Sequence, residues 1–315
     1  MRRNVMLSSP SIPAANGFSP QQIPLRPLVG YLAIAVTVLV WAGFALSTRA
    51  ASGAQLTLGD VALIRSAIPA LVFLPFLPKR MAMLKRLPPH RWLMIAAGAG
   101  LPFFGLAAMG GAQTSATHVG ALIAGTTPVS VAVLTWVFYR QRPDALLPLG
   151  IVLVGVAALI GASGNLAAGS LSGVALLLSA SLLWGCYTLG LRGSGLDPIG
   201  CALVLALPST LVLLPLLTTG VLPSSLTQVR LAEAMPYILA QGIGVGLISS
   251  LTYAIAIARL GVAKCAAFGA LAPAIAAVLA VPLLHEALSM GTILAVLIIC
   301  AGVMLASRPK RETDA

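Results

Sequence analysis

The sequence predicts an all-α integral membrane protein. Ten transmembrane helices form a 5+5 inverted-topology repeat around a central cavity. Three observations predict this. The 315 residues are 59% apolar and only 8% charged, whereas soluble domains carry about 25% charged residues. The apolar residues fall in runs near the roughly 20 residues a bilayer crossing needs. And the second half echoes the first: VLVWAGFALSTR at 38–49 returns as SLLWGCYTLGLR at 181–192. Trp41 aligns with Trp184, Phe44 with Tyr187, Leu46 with Leu189 and Arg49 with Arg192, each offset by 143.

Taken in order, residues 1–27 are polar and rich in Pro, Ser and Gln, without the apolar core of a cleaved signal. They read as a disordered cytoplasmic tail. The spans follow at 28–48, 60–77, 92–112, 117–138 and 146–163, then 171–191, 198–218, 236–257, 263–284 and 288–306. Residues 28–163 make the first five-helix repeat, 171–306 the second, and 307–315 a cytoplasmic C-terminal tail. The short connections require antiparallel neighbours. Only HEAL separates the ninth span from the tenth.

Charge placement sets the orientation. With the N-terminus inside, every Lys and Arg except Arg49, Arg65 and Arg230 falls on the inner side, a strong positive-inside bias. The net charge of +12 therefore reports membrane orientation and excludes nucleic acid as a partner. The four cysteines lie in apolar runs with neither metal nor disulfide spacing. They read as small buried hydrophobes.

The repeat extends beyond the first span. GALIAGTTPVSVAVLTWVFYRQ at 120–141 aligns with CAAFGALAPAIAAVLAVPLLHE at 265–286, placing Pro128 on Pro273 and Gln141 on Glu286. Asp60 and Asp197 open the second and seventh spans. A unit of five helices is odd, so its two copies must lie oppositely in the membrane. Such repeats place a solute site near the midplane.

At 1.5 Å per residue, Trp41 lies about 4–5 Å beyond the centre of its span and Trp184 about as far past the centre of a span running the other way. Their rings are too deep for interfacial anchors. Trp41, Phe44, Trp184, Tyr187 and Tyr253 are the candidate substrate contacts, facing a shared cavity and offering flat rings and a tyrosine hydroxyl. Helix packing is the competing reading.

Pro128 and Pro273 fall near the centres of the fourth and ninth spans. There they remove a backbone donor and release the carbonyls of Ala124 and Gly269. With the small residues Gly125 and Gly269 they are candidate hinges. Arg65 and Glu286 are candidate gate residues: Arg65 either snorkels outward or pairs with Asp60 or Glu286. No Asp or Glu sits at mid-span, so the cavity is expected to carry no fixed charge and to suit a solute of zero net charge.

The chain lacks a phosphate-binding G-x-x-x-x-G-K-[ST] loop, and Ser289 stands where a zincin that begins His285-Glu286 would need its second histidine. It is expected to be no enzyme and to need no cofactor or metal.

W-x-x-[FY] closing the first helix of each half, with a mid-helix proline in the fourth, resembles the EamA-type branch of the drug/metabolite transporter superfamily over 28–306. Within it the chain is similar to bacterial exporters of aromatic and other neutral amino acids. Glu286 matches the acidic residue that follows the family's fourth repeat helix; Gln141 departs from it. The resemblance implies a basket of helices with both termini cytoplasmic. The expected function is secondary export of small neutral or zwitterionic metabolites, amino acids foremost, by a monomer in the bacterial inner membrane. A carrier for a drug-like compound, sugar or nucleotide-sugar, or a non-transporting intramembrane enzyme or subunit, is the alternative.

Overall fold

The computed structural model describes residues 27–141, 149–150, 152–153, 155–156, 168–192, 194–260, 262–269 and 271–306. Both predicted tails lie outside them, apart from Pro27, which opens the first helix, as does most of the predicted fifth span. The described chain is helical throughout. Its elements are α1 (Pro27–Ala50), α2 (Leu58–Phe73), α3 (Leu77–Lys85), α4 (Pro89–Ala99), α5 (Leu101–Ala112), α6 (Ala116–Ile123) and α7 (Thr127–Tyr139). The second half has α8 (Ala168–Leu191), α9 (Pro198–Thr218), α10 (Leu231–Tyr237), a π-helical segment (Ile238–Ser249), α11 (Ser250–Leu260), α12 (Val262–Gly269), α13 (Ala272–Leu284) and α14 (Met290–Ala306).

Seven of the described stretches are long and apolar enough to cross a membrane, and Ala272–Leu284 and Met290–Leu305 are shorter apolar helices. Leu32, Leu71, Leu211, Leu239 and Leu297 are all more than half exposed, as side chains facing lipid are. The second crossing is longer than predicted and runs through α2 and α3 from Leu58 to Lys85. The eighth is also longer, from Leu231 to Leu260. The ninth and tenth are separate helices, divided at His285–Ser289.

Among the described residues a 3-10 turn at Leu74–Phe76 joins α2 to α3, and two further pairs of crossings depart from plain α geometry at matching places in the repeat. The third is interrupted at Gly100, just before Pro102, which occupies the first turn of α5. Its counterpart, the eighth, widens into twelve residues of π-helix. Pro128 and Pro273 do not kink continuous helices as predicted. Each is the second residue of a new helix, after breaks at Ala124–Thr126 and beyond Gly269. A missing N–H costs nothing in a first turn, so proline marks where the chain restarts. Both new helices are thirteen residues long.

Both helices also end alike. Arg140 (φ 56°) and His285 (φ 54°), 145 positions apart, are the non-glycine residues of left-handed conformation among those described. Such a residue costs roughly 1–2 kcal/mol. His285→Gly should therefore raise stability by about 0.5–1 kcal/mol, seen as a higher thermal unfolding midpoint in detergent, while His285→Ala gives no gain.

Packing obeys the same exchange of halves. α1 lies against the π segment and α11–α13, and α8 lies against α4–α7; α2 packs on α9, and α6 on α13. Glycines bring the backbones together, as is usual between membrane helices. A Cβ at Gly98 would lie 2.6 Å from the Leu183 carbonyl, and one at Gly185 would lie 2.8 Å from Leu134. Val152 and Val156, described fragments of the fifth span, share an apolar cluster with Val296, Ile299 and Val303 of α14.

Candidate functional site

The two repeats meet in a row of aromatic rings. α1 supplies Trp41, whose ring lies 6.3 Å from Trp184 of α8, edge to face. Tyr253 of α11 lies 5.0 Å from Trp41, and Tyr187 lies 5.1 Å from Trp184. A branch leads from Trp184 to Phe103 of α5 (5.2 Å) and on to Phe44 (6.0 Å, stacked). Edge-to-face and tilted pairs at these separations contribute about 0.5–1.5 kcal/mol each beyond area burial.

All five predicted contact residues belong to this row, and each keeps partial exposure although it lies among interior helices. One correction concerns the tryptophans: the two rings that depth arithmetic sets to either side of the midplane lie edge to face and build a single wall. A second correction concerns Tyr187, whose hydroxyl is 3.4 Å from Cys201 Sγ of α9 and so is engaged within the protein. Phe103, 2% exposed, was missed by the sequence reading; it lies in the FF pair of the third span, which carries no repeat signal.

The candidate hinges sit beside this wall. A side chain at Gly269 would approach Trp41 Cζ3 to 3.1 Å, so the break before α13 is shaped around that ring. Gly125 has a different neighbour, Ile299 of α14, which leaves no room for a Cβ. At the α6–α7 break Thr126 Oγ1 lies 2.5 Å from the Leu122 carbonyl and 2.7 Å from Ser181 Oγ, and Ser130 Oγ lies 2.9 Å from Ser181. These buried hydroxyls fasten the broken helix to α8 and give its polar groups the partners that lipid cannot supply.

Arg65 overturns two expectations. It neither snorkels nor pairs with Asp60 or Glu286. Its Nη1 donates to Gln241 Oε1 at 3.0 Å, and its guanidinium lies 5.2 Å from the Phe44 centroid and 5.6 Å from Phe104. Gln241 is fully buried. Its Nε2 lies 2.8 Å from Ser47 Oγ and 3.2 Å from Thr48 Oγ1. Two acceptor hydroxyls on Nε2 and a cation on Oε1 fix which way the amide points. The interior thus holds a fixed positive charge at the end of the aromatic wall. In the sequence Gln241 stands out as a polar residue in an apolar run, but an uncharged amide gives no sign of a partner 176 positions away.

Both ends of the bundle are tied. At the Arg49 end, Glu286 accepts from Arg49 Nε (3.3 Å) and, with both oxygens, from the Ala116 amide that opens α6 (3.1 and 3.0 Å). The carboxylate meets the positive end of a helix there. Asp60 joins α2 to the connection between α9 and α10, accepting from Ser224 Oγ (2.6 Å), Ser225 N (2.8 Å) and Thr57 N (3.0 Å). At the opposite end Arg80 of α3 grips Asp197, with Nε at 3.0 and 2.8 Å from its two oxygens and Nη2 at 2.6 Å. Gln141, which aligns with Glu286, is exposed.

Partial burial pushes the Asp197 carboxyl up, but the Arg80 guanidinium and the Gly200 amide outweigh it and hold it below its ordinary range. A carboxyl lowered by folding stabilises above its unfolded pKa and ceases to do so as the pH falls through the lowered value. Acidification from neutral toward pH ~3 should therefore weaken the α3–α9 tie. Asp197→Asn should lower the thermal midpoint at neutral pH and flatten its fall with acid; an unchanged acid profile would show that other groups carry it.

No curated protein matches the chain. Among solved structures, a crystal structure described only as that of a protein shares the fold with a TM-score of 0.58 at 20% identity, covering 89% of this chain and 98% of its own. The model of the EamA-like transporter family matches twice, over residues 28–162 and 171–308. Two matched repeats spanning nearly all of a multi-pass helical chain place it in that family: the protein belongs to the EamA-like transporters.

Proposed function

We propose that the protein is a secondary transporter that exports small neutral or zwitterionic metabolites, amino acids including aromatic ones foremost, by alternating access. In this reading ten helices, five and five in inverted topology, surround a midplane site, and a monomer acts in the inner membrane with both termini cytoplasmic. The observation that carries it is the aromatic wall contributed by both repeats, with Trp41 against Trp184 at their junction. Flat rings that keep accessible surface suit the hydrocarbon or aromatic body of an organic solute. Trp41, Phe44, Trp184, Tyr187 and Tyr253 hold that body.

Motion is assigned to the breaks. Helices interrupted at Pro128 and Pro273, with Gly125 and Gly269 beside them, move as half-helices without tearing a regular hydrogen-bond ladder. Glu286 and Arg49 close the outer end.

The test is flux in liposomes containing this protein alone, over a panel of amino acids with and without a pH gradient. Movement of phenylalanine or a neutral aliphatic amino acid without nucleotide is expected. Failure to move any of them would remove the amino-acid assignment.

A further inference from the structure

We infer that Arg65 anchors a carboxylate group of the transported solute. This rests on the reading of the chain as a carrier of small organic solutes. The argument begins with the company Arg65 keeps. Among the described residues its one hydrogen-bond acceptor is the neutral amide of Gln241, and its other close neighbours are the faces of Phe44 and Phe104. No carboxylate among the described residues is within ion-pair reach of it.

Nor is a described carboxylate free to move to it. Glu286 is taken by Arg49 and the α6 amide, Asp197 by Arg80, Glu233 by Arg230, and Asp60 by Ser224, Ser225 and Thr57. A guanidinium has five N–H donors, and a cation set in a membrane interior with only neutral partners is costly. Such residues are retained where they serve a solute or ion path.

Position supplies the rest. Arg65 stands seven residues into α2, about 10 Å along the helix from its start. Its guanidinium lies against Phe44, whose ring stacks on Phe103, which in turn touches Trp184. A solute lying along the wall would bring one end to Arg65 and leave its apolar body on the rings. Gln241, fixed by Ser47 and Thr48, holds the guanidinium from behind. The planar fork matches the two oxygens of a carboxylate. One cation balances one carboxylate, whereas a phosphate dianion would call for a second.

The experiment uses the full-length purified protein and follows intrinsic tryptophan fluorescence during titration with four probes: phenylalanine, phenylalanine amide, 3-phenylpropionate and 3-phenylpropionamide. The wild type should bind each acid about 10- to 100-fold more tightly than its amide, the range expected for a hydrogen bond between charged groups. Arg65→Gln should level the pairs, and Arg65→Lys should restore part of the preference, keeping charge without the fork. Amides bound as tightly as acids by the wild type would overturn the anchor without recourse to any variant. So would an Arg65→Gln protein of unchanged thermal midpoint that keeps the preference. If phenylpropionate binds and phenylalanine does not, the anchor stands and the amino-acid reading falls. If phenylalanine and its amide bind equally, the reverse holds. Binding of none of the four overturns both.

Discussion

Asp60→Ala is expected to destabilise the protein by about 3–5 kcal/mol. The side chain is fully buried at the start of α2. Its carboxylate accepts from two backbone amides and one hydroxyl, and its own amide is capped by Thr57 Oγ1 at 3.1 Å. Alanine would leave the Ser225 and Thr57 amides without acceptors. It would also remove a negative charge from the positive end of the helix. The connection between α9 and α10 would lose its hold on α2, because Ser224 and Ser225 reach the second crossing through this carboxylate. Asp60→Asn can keep its amide oxygen on the Ser225 and Thr57 amides, which share one carboxylate oxygen, and turn its NH2 to the Ser224 hydroxyl, so it should recover much of the loss and lack chiefly the charge at the helix start. Thermal unfolding in detergent measures the loss, and protease cleavage within 219–230 reports the freed connection. A midpoint within a degree of wild type would show that the loop is held by other means.

Trp184→Ala should cost about 3–5 kcal/mol of stability and reduce solute flux about 10- to 100-fold. Trp184 touches Trp41, Phe103 and Tyr187, so it is the ring through which the two branches of the wall join. Removing it opens a space at the junction of the repeats and takes away a flat surface offered to solute. Trp184→Phe separates the two effects. It fills most of the space, so stability should largely return, while the smaller ring should still reduce flux of aromatic solutes more than that of aliphatic ones. Equal flux for Trp184→Phe and wild type across that panel would reduce Trp184 to a packing residue.

The sequence made the architecture legible because composition and repetition act at the scale of whole helices. Runs of apolar residues mark crossings whatever their neighbours do, and Pro128 and Pro273 announced matching irregularities. What they announced was a restart rather than a kink: a proline two residues into a helix and a proline within one look the same without knowledge of the preceding turn. The interruption at Gly100 had a signal in GLP that was not read. The π-helical segment had none, since two polar residues, Gln241 and Ser249, in an otherwise apolar run set no period that separates it from an α-helix.

The site was half legible. Depth arithmetic placed Trp41 and Trp184 to either side of the midplane, and depth gives no distance across the bundle, so their contact could not be foreseen. Arg65 and Gln241 are 176 positions apart. Local pattern cannot bring them together, and it offers Arg65 only a path outward to water or the carboxylates of Asp60 and Glu286, the usual partners of arginine.

The two repeats end their fourth helices alike but continue differently. The left-handed turn at His285 hands the chain to Glu286, which fastens three helix ends; the matching turn at Arg140 hands it to an uncharged amide. The far end has its own clasp, the fork of Arg80 on Asp197, so each mouth is shut by an ion pair between the two halves, but the pairs are built from unrelated positions and need not yield under the same conditions.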